Sequence, residues 1–115
     1  MLTIYHNPRC SKSRATLELL RAHGIEPRVI EYLQTPPSAH ELKHLIELLG
    51  LTPRELVRRN EPEYKAARLD EASDTELIRA MVQHPILIER PIVVKGNRAA
   101  LGRPPENVLK VLKDT

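Results

Sequence analysis

The single cysteine of the chain, Cys10, stands where a reactive thiol is expected. Residues 2–6 predict a strand and the segment after Cys10 predicts a helix, which places the thiol at a strand-to-helix junction. The unpaired N–H groups and the dipole at a helix N-terminus favour an anion, and Arg9, Lys12 and Arg14 add positive charge nearby. Such conditions lower the pKa of a thiol, and the thiolate is the nucleophile. This segment therefore predicts a nucleophile beside a binding site for a negatively charged electrophile.

Two neighbours of Cys10 are candidates for supporting roles. Ser13 lies three residues after Cys10, at the position where a dithiol redox protein carries its second cysteine. Without that second thiol, Cys10 cannot resolve its own oxidised form, so a redox mechanism needs an external thiol. His6 could stabilise the thiolate as an imidazolium or fix the loop by hydrogen bonding. A purely structural role is the alternative for each of these two residues.

Three arginines stand at the ends of predicted elements. Arg58 follows an amphipathic stretch, Arg90 directly precedes Pro91, and Arg103 directly precedes Pro104. A guanidinium binds a tetrahedral oxyanion through two parallel hydrogen bonds. Spacing alone does not show that the three converge, and a solvated basic surface is the alternative interpretation.

The composition predicts one globular domain over residues 1–115. Hydrophobic residues make up 41% of the chain and charged residues 29%, with a formal net charge of +3. Aromatic residues make up only 3%, and no run of basic residues occurs, which argues against a nucleic-acid-binding surface. No signal peptide, membrane-spanning stretch or zinc-ligand spacing is apparent. We expect a cytoplasmic protein without a metal ion and without nucleic-acid or membrane partners.

The first third of the chain predicts a βαβ unit. Strands are expected over residues 2–6 and 28–32, with a helix over residues 11–23 between them. Gly24 suits the position after that helix, where a left-handed residue ends it. A helix between two strands implies a parallel pair with a right-handed crossover.

The middle of the chain predicts only helices, each opened by a capping box. The second of the three helices is short and carries Arg58, and the polar residues 61–70 are predicted to be irregular, with room for one helical turn. The expected N-cap residues are Ser38, for a helix to about Leu49, then Thr52, and then Ser73, for a helix to about His84.

The last third returns to β-structure. Strands over residues 91–95 and 98–101 flank Gly96-Asn97, a pair suited to a two-residue hairpin turn, and a final helix begins at Pro104. An α/β, thioredoxin-like fold accommodates this order, with one four-stranded mixed sheet and an inserted helical segment. In that fold a cis proline usually precedes the hairpin strand, and the Arg90-Pro91 bond is the candidate.

Five segments in register resemble the ArsC-type, glutaredoxin-coupled arsenate reductases. The opening Ile-Tyr-His-Asn-Pro-Arg-Cys-Ser-Lys-Ser-Arg-Ala-Thr-Leu is similar to the nucleophile segment of that family. The other similar segments are residues 32–37, 56–60, 84–94 and 98–104. The resemblance covers essentially the whole chain, and its Arg-Cys-Ser-Lys-Ser-Arg version resembles a chromosomal subgroup of short members.

The resemblance implies a substrate and a role for each residue of the site. Cys10 corresponds to the nucleophile, and Arg58, Arg90 and Arg103 to the ligands of arsenate and its reduced product. His6 and Ser13 correspond to supporting positions, and Arg14 adds charge beside them. Arsenate is then the substrate, glutathione the co-substrate and a glutaredoxin the partner, with no bound cofactor and a role in arsenic detoxification.

Two other functions remain open at this stage. The Spx-type transcription regulators share the architecture and bind RNA polymerase, although they usually carry Cys-x-x-Cys where this chain has Cys10 and Ser13. A glutathione-dependent thiol oxidoreductase acting on another substrate is the third interpretation.

Overall fold

The computed structural model describes residues 1–112, and their contacts divide the chain into two compact units. One unit combines Met1–Thr35 with the chain from Arg90 onward, and the other is the intervening segment Pro36–Glu89. The expectation of a single domain over residues 1–115 stays a prediction, and residues 113–115 lie outside the described part of the chain.

The first unit contains a four-stranded mixed sheet in the order β2-β1-β3-β4, as predicted. Strand β1 pairs in parallel with β2 and antiparallel with β3, and β3 pairs antiparallel with β4. The strands are β1 (Leu2–His6), β2 (Arg28–Glu31), β3 (Ile92–Lys95) and β4 (Arg98–Leu101). The expected α/β, thioredoxin-like fold is therefore confirmed, with β2 and β3 each one residue shorter than predicted.

One face of this sheet packs against helix α1 (Ser11–Ala22) and a C-terminal 3₁₀ helix (Pro105–Leu112). The sequence predicted the second helix and its buried residues Val108 and Val111 without specifying the 3₁₀ type. Alternation along β1 points every second side chain to this face, so that Ile4 is completely buried. The buried cluster consists of Leu2, Ile4, Leu20, Val93, Val108 and Val111.

The second unit is helical, and all three predicted capping boxes are present. In each box the N-cap hydroxyl accepts from a backbone N–H, while a glutamate three residues later accepts from the N-cap backbone. Its helices are α2 (Ala39–Leu49), α3 (Pro53–Leu56), α4 (Pro62–Ala66) and α5 (Asp74–Gln83), with 3₁₀ turns at Leu69–Glu71 and Pro85–Leu87.

One detail of this unit differs from the sequence predictions. Helix α3 ends at Leu56, so Arg58 follows the helix, where Val57 forms an isolated bridge with Ile88. The polar segment after it contains the five-residue helix α4, in line with the single helical turn expected there, and Pro62 at its first position is compatible with helix initiation.

The Arg90-Pro91 peptide bond is cis, as predicted, and the Arg103-Pro104 bond is also cis, which the sequence did not indicate. Within residues 1–112, none of the helices combines the length and apolar character needed to span a bilayer.

Candidate active site

Cys10 is the N-cap residue of α1, and its backbone is extended with φ −95° and ψ 121°. Its carbonyl already accepts a helical hydrogen bond from the N–H of Arg14, at 3.0 Å. The first turn of α1 contains no acidic residue, so no carboxylate there competes for the helix N-terminus. The thiol is partly exposed, and an electrophile can reach it from solvent.

The pKa of the Cys10 thiol is lowered, although partial burial on its own would raise it. Hydrogen bonding from the backbone N–H of Ser13, from the Arg90 side chain and from the backbone N–H of Lys12 outweighs the burial. The positive charge of Arg90 adds to the effect. The site thus stabilises a thiolate, as the position of Cys10 in the sequence predicted.

His6 and Ser13 form a buried pair beneath the loop that carries Cys10. The Nδ1 atom of His6 lies 2.6 Å from Oγ of Ser13, and the backbone N–H of Asn7 donates to the same oxygen at 3.0 Å. Burial lowers the pKa of His6, which favours the neutral imidazole near neutral pH. The structure therefore supports the hydrogen-bonding role for His6 over an imidazolium beside the thiolate.

Arg90 and Arg103 lie in the same unit as Cys10 and are joined to each other. Arg90 is 9% exposed, and its side chain lowers the pKa of the Cys10 thiol, while its carbonyl accepts from Nη1 of Arg103 at 3.2 Å. The carbonyl of Arg103 in turn accepts from Nδ2 of Asn107 at 3.2 Å. The fold thus brings Arg90 to the thiol and couples Arg103 to Arg90.

Arg58 belongs to the helical unit, where two carboxylates hold its guanidinium. Its Nη1 lies 3.1 Å from Oε1 of Glu89, and its Nε lies 3.3 Å from Oε1 of Glu61. Its backbone N–H donates to the carbonyl of Leu87 at 2.7 Å. The three side chains are between 19% and 23% exposed, so the guanidinium is half-buried and its plane is fixed.

Arg14 supports the loop and lies on the exposed side of α1. Its Nη1 donates to the carbonyl of Pro8 at 2.8 Å. The predicted supporting residue therefore braces the segment that precedes Cys10.

The sequence predicted no role for Asn7, Glu61 or Glu89. Asn7 is only 3% exposed, and Oδ1 accepts from the N–H of Arg9 at 3.0 Å. The turn at Asn7 was predictable from the sequence, because Asn before Pro favours a turn in which the side chain bonds the backbone. No local sequence pattern indicated a role for Glu61 or Glu89.

A groove of about 700 Å³ lies in the helical unit, between α2 and α5. Among the described residues that line it, none belongs to the predicted site. Within residues 1–112, no cluster of His, Cys, Asp or Glu side chains is suited to holding a metal ion.

Comparison with known proteins identifies close relatives along nearly the whole chain. The model of the ArsC family matches residues 5–111. "Arsenate reductase" of Escherichia coli is 52% identical over 115 residues, which span 98% of this chain and 82% of that protein. "Uncharacterized protein YfgD" of Escherichia coli strain K12 is 53% identical over 112 residues, which span 95% and 94%. The solved structure of "Arsenate reductase from Vibrio cholerae" superposes with a TM-score of 0.92 at 53% identity, covering 96% of each chain.

Proposed function

Because this chain belongs to the ArsC family, we propose that it reduces arsenate to arsenite through the Cys10 thiolate, with glutathione as co-substrate. The observation that carries the proposal is the arrangement around Cys10 at the start of α1. Backbone N–H groups of Ser13 and Lys12 and the Arg90 side chain lower the pKa of the thiol. The same donors are suited to the oxygens of a tetrahedral oxyanion.

In the first step the Cys10 thiolate attacks the arsenic atom of arsenate. A sulfur–arsenic bond forms and an arsenic–oxygen bond breaks, and the departing oxygen leaves as water after it takes up protons. Arsenic remains As(V) in this adduct. Arg90 and the first-turn N–H groups of α1 offset the negative charge on the remaining oxygens.

In the second step the sulfur of glutathione attacks the sulfur of Cys10. The sulfur–arsenic bond breaks and its electron pair stays on arsenic, which becomes As(III). The two sulfurs lose the two electrons that arsenic gains, and they end as a mixed disulfide between Cys10 and glutathione.

The third step restores the thiolate and needs an external thiol. Cys10 is the only cysteine of the chain, so no second thiol within it can resolve the mixed disulfide. A glutaredoxin attacks the glutathione sulfur and releases the Cys10 thiolate. This step fits a reducing, cytoplasmic environment with a glutathione pool.

The remaining predicted residues take the roles that the family resemblance implies. Arg58 binds the substrate oxyanion, with the orientation of its guanidinium set by Glu61 and Glu89. Arg103 binds the As(III) species. His6, Ser13 and Arg14 support the loop that carries Cys10.

The test is arsenate-dependent NADPH oxidation in the presence of glutathione, glutaredoxin and glutathione reductase. Wild-type protein is expected to turn over, and Cys10→Ser is expected to be inactive because an alcohol at this position is a far weaker nucleophile. Ser11→Ala, which changes an exposed neighbour, serves as the matched control for substitution at the start of α1.

Circular dichroism spectra and melting curves establish that the Cys10→Ser variant is folded. A folded Cys10→Ser variant with wild-type turnover would refute the thiolate scheme. A wild-type protein that reduces a glutathionylated peptide but not arsenate would instead identify a thiol oxidoreductase.

A further inference from the structure

Asn7 occupies a buried position in the loop between β1 and α1, although the two residues that follow it are exposed. Its backbone N–H donates to Oγ of Ser13, its Oδ1 accepts from the N–H of Arg9, and its carbonyl accepts from the N–H of Cys10. All three distances are 3.0 Å. Asn7 therefore holds the turn through its contacts with Arg9, Cys10 and Ser13.

We propose that Asn7 is a positioning residue for the Cys10 thiolate, acting through this turn. The turn fixes where the backbone of Cys10 enters α1, and thereby where its sulfur stands relative to the first helical N–H groups. Asn7 is also tied to Ser13, whose backbone N–H is among the groups that lower the pKa of the Cys10 thiol. Asn7 thus bonds Cys10 and Ser13 through its backbone, while its side chain secures the turn between them at the N–H of Arg9.

The amide of Asn7 suits this task better than the carboxylate of an aspartate. An Asx turn needs a side-chain oxygen that reaches the N–H two residues later, which both Asn and Asp provide. A carboxylate at this position would add a negative charge close to the sulfur and would oppose formation of the thiolate. Asparagine provides the acceptor without that charge.

Other charged groups lie around Cys10, and Arg9 and Lys12, which are near it in the sequence, are both exposed. The Arg90 guanidinium, which precedes β3, stabilises the thiolate, and Arg14 on α1 donates to the carbonyl of Pro8. His6 at the end of β1 is held neutral by burial and contacts Ser13. A change at Asn7 leaves all of these groups in the chain, so its effect on the thiol is separable from theirs.

The expected effect of Asn7 on turnover rests on the proposed function. The first readout does not require arsenate reduction. That readout is the rate of Cys10 alkylation by iodoacetamide as a function of pH. It is measured for the wild type, Asn7→Ala, Asn7→Asp and the control Asn97→Ala, which changes an exposed turn asparagine of the same unit.

For Asn7→Ala we expect the alkylation profile to move to higher pH, with the rate at neutral pH falling about fivefold as the thiolate fraction decreases. Asn7→Asp keeps the turn but adds a charge, so its profile also moves to higher pH. Raising the salt concentration from about 0.05 to 1 M should partly reverse only the shift of Asn7→Asp, since salt screens charge and leaves a displaced backbone unchanged. Asn97→Ala should match the wild type.

A wild-type profile for folded Asn7→Ala would overturn the inference. If Asn7→Ala does not fold, Asn7→Asp keeps the test decisive: because the turn is retained, salt should partly reverse its shift, and a shift that salt does not reverse would overturn the inference. Shifted profiles together with a wild type that does not reduce arsenate would leave the positioning role standing and refute the proposed function. Arsenate turnover by the wild type, together with unshifted alkylation profiles in the variants, would support the proposed function and refute the positioning role of Asn7.

Discussion

At the scale of single residues, the pKa of Cys10 results from opposing effects whose balance favours the thiolate. Partial burial raises the pKa, and donors from α1 and from Arg90 lower it further than burial raises it. Most of these donors are backbone groups, which a substitution does not remove. Arg90 is the donor that mutagenesis can test, because its side chain supplies both a hydrogen bond and a charge.

Arg90→Lys is expected to move the Cys10 alkylation profile to higher pH, since an ammonium cannot reproduce the planar fork of a guanidinium. Under the proposed function, kcat/KM for arsenate should fall on the order of a hundredfold, as for loss of one oxyanion-binding group. Arg28→Lys, on the exposed edge strand β2, is the control and should retain wild-type values. An unchanged alkylation profile in Arg90→Lys would contradict the role of Arg90.

His6 makes a prediction about stability and pH. Its pKa is lowered in the folded state by burial, whereas the unfolded chain titrates near the ordinary value of 6.5. Below that value the unfolded state binds a proton that the folded state does not, so the free energy of unfolding decreases as the pH falls. The loss levels off once the pH is below the folded-state pKa.

Urea unfolding at about pH 5.5 and 7.5 tests this linkage. The difference in unfolding free energy between the two pH values should be smaller in His6→Gln than in the wild type. His44→Gln, which changes an exposed histidine on α2, should keep the wild-type difference. An equal difference in wild type and His6→Gln would show that His6 does not contribute to the acid sensitivity.

At the scale of elements, a close approach between β4 and α1 depends on Gly102. A Cβ at this position would overlap Oγ1 of Thr16 and would lie 2.7 Å from Cγ of Pro91. The N–H of Gly102 donates to the carbonyl of Pro91 at 2.9 Å, which fixes the backbone in this place. Gly102 thereby lets the chain pass close to α1 directly before Arg103.

Gly102→Ala is expected to destabilise the protein by about 1–3 kcal/mol through overpacking, measured by urea unfolding. The cost should be smaller in a Thr16→Ala background, because that substitution removes the overlapping Oγ1 atom. Additive effects of the two substitutions would argue that the contact with Thr16 is not the cause.

At the scale of the whole molecule, the chain forms two compact units joined at two places in the sequence. The first unit is assembled from two separate segments, and the second, Pro36–Glu89, is the insertion between them. The second unit is about half of the chain, a size at which burial alone gives little stability. On this ground we expect the two units to unfold together, as the single-domain prediction requires.

Hydrogen exchange in increasing urea tests that expectation. Amides of α5 in the second unit and of β3 in the first should lose protection at the same urea concentration, within the error of the measurement. Loss of protection in α5 at clearly lower urea than in β3 would show that the helical unit opens independently, and the single-domain prediction would then be wrong.

Features that depend on local chemistry were predictable from the sequence alone. The three capping boxes, the strand periods and the Gly96-Asn97 turn depend on neighbours within a few residues, and their positions were accordingly predictable. The place of Cys10 at the start of α1 followed from the same local patterns. The family resemblance added the proposed roles of the three arginines, which spacing alone did not distinguish from surface charges.

Contacts between groups that are distant in the sequence depend on how the chain folds. Arg90 reaches Cys10 because β3 lies beside β1 in the sheet, although the two residues are far apart in the sequence. The pairing of Arg58 with Glu61 and Glu89, and the need for glycine at position 102, likewise depend on how separate segments pack. A residue's neighbours in sequence determine its backbone, whereas the pKa of a thiol or the orientation of a guanidinium is set by groups within a few ångströms, which only the packed chain brings together.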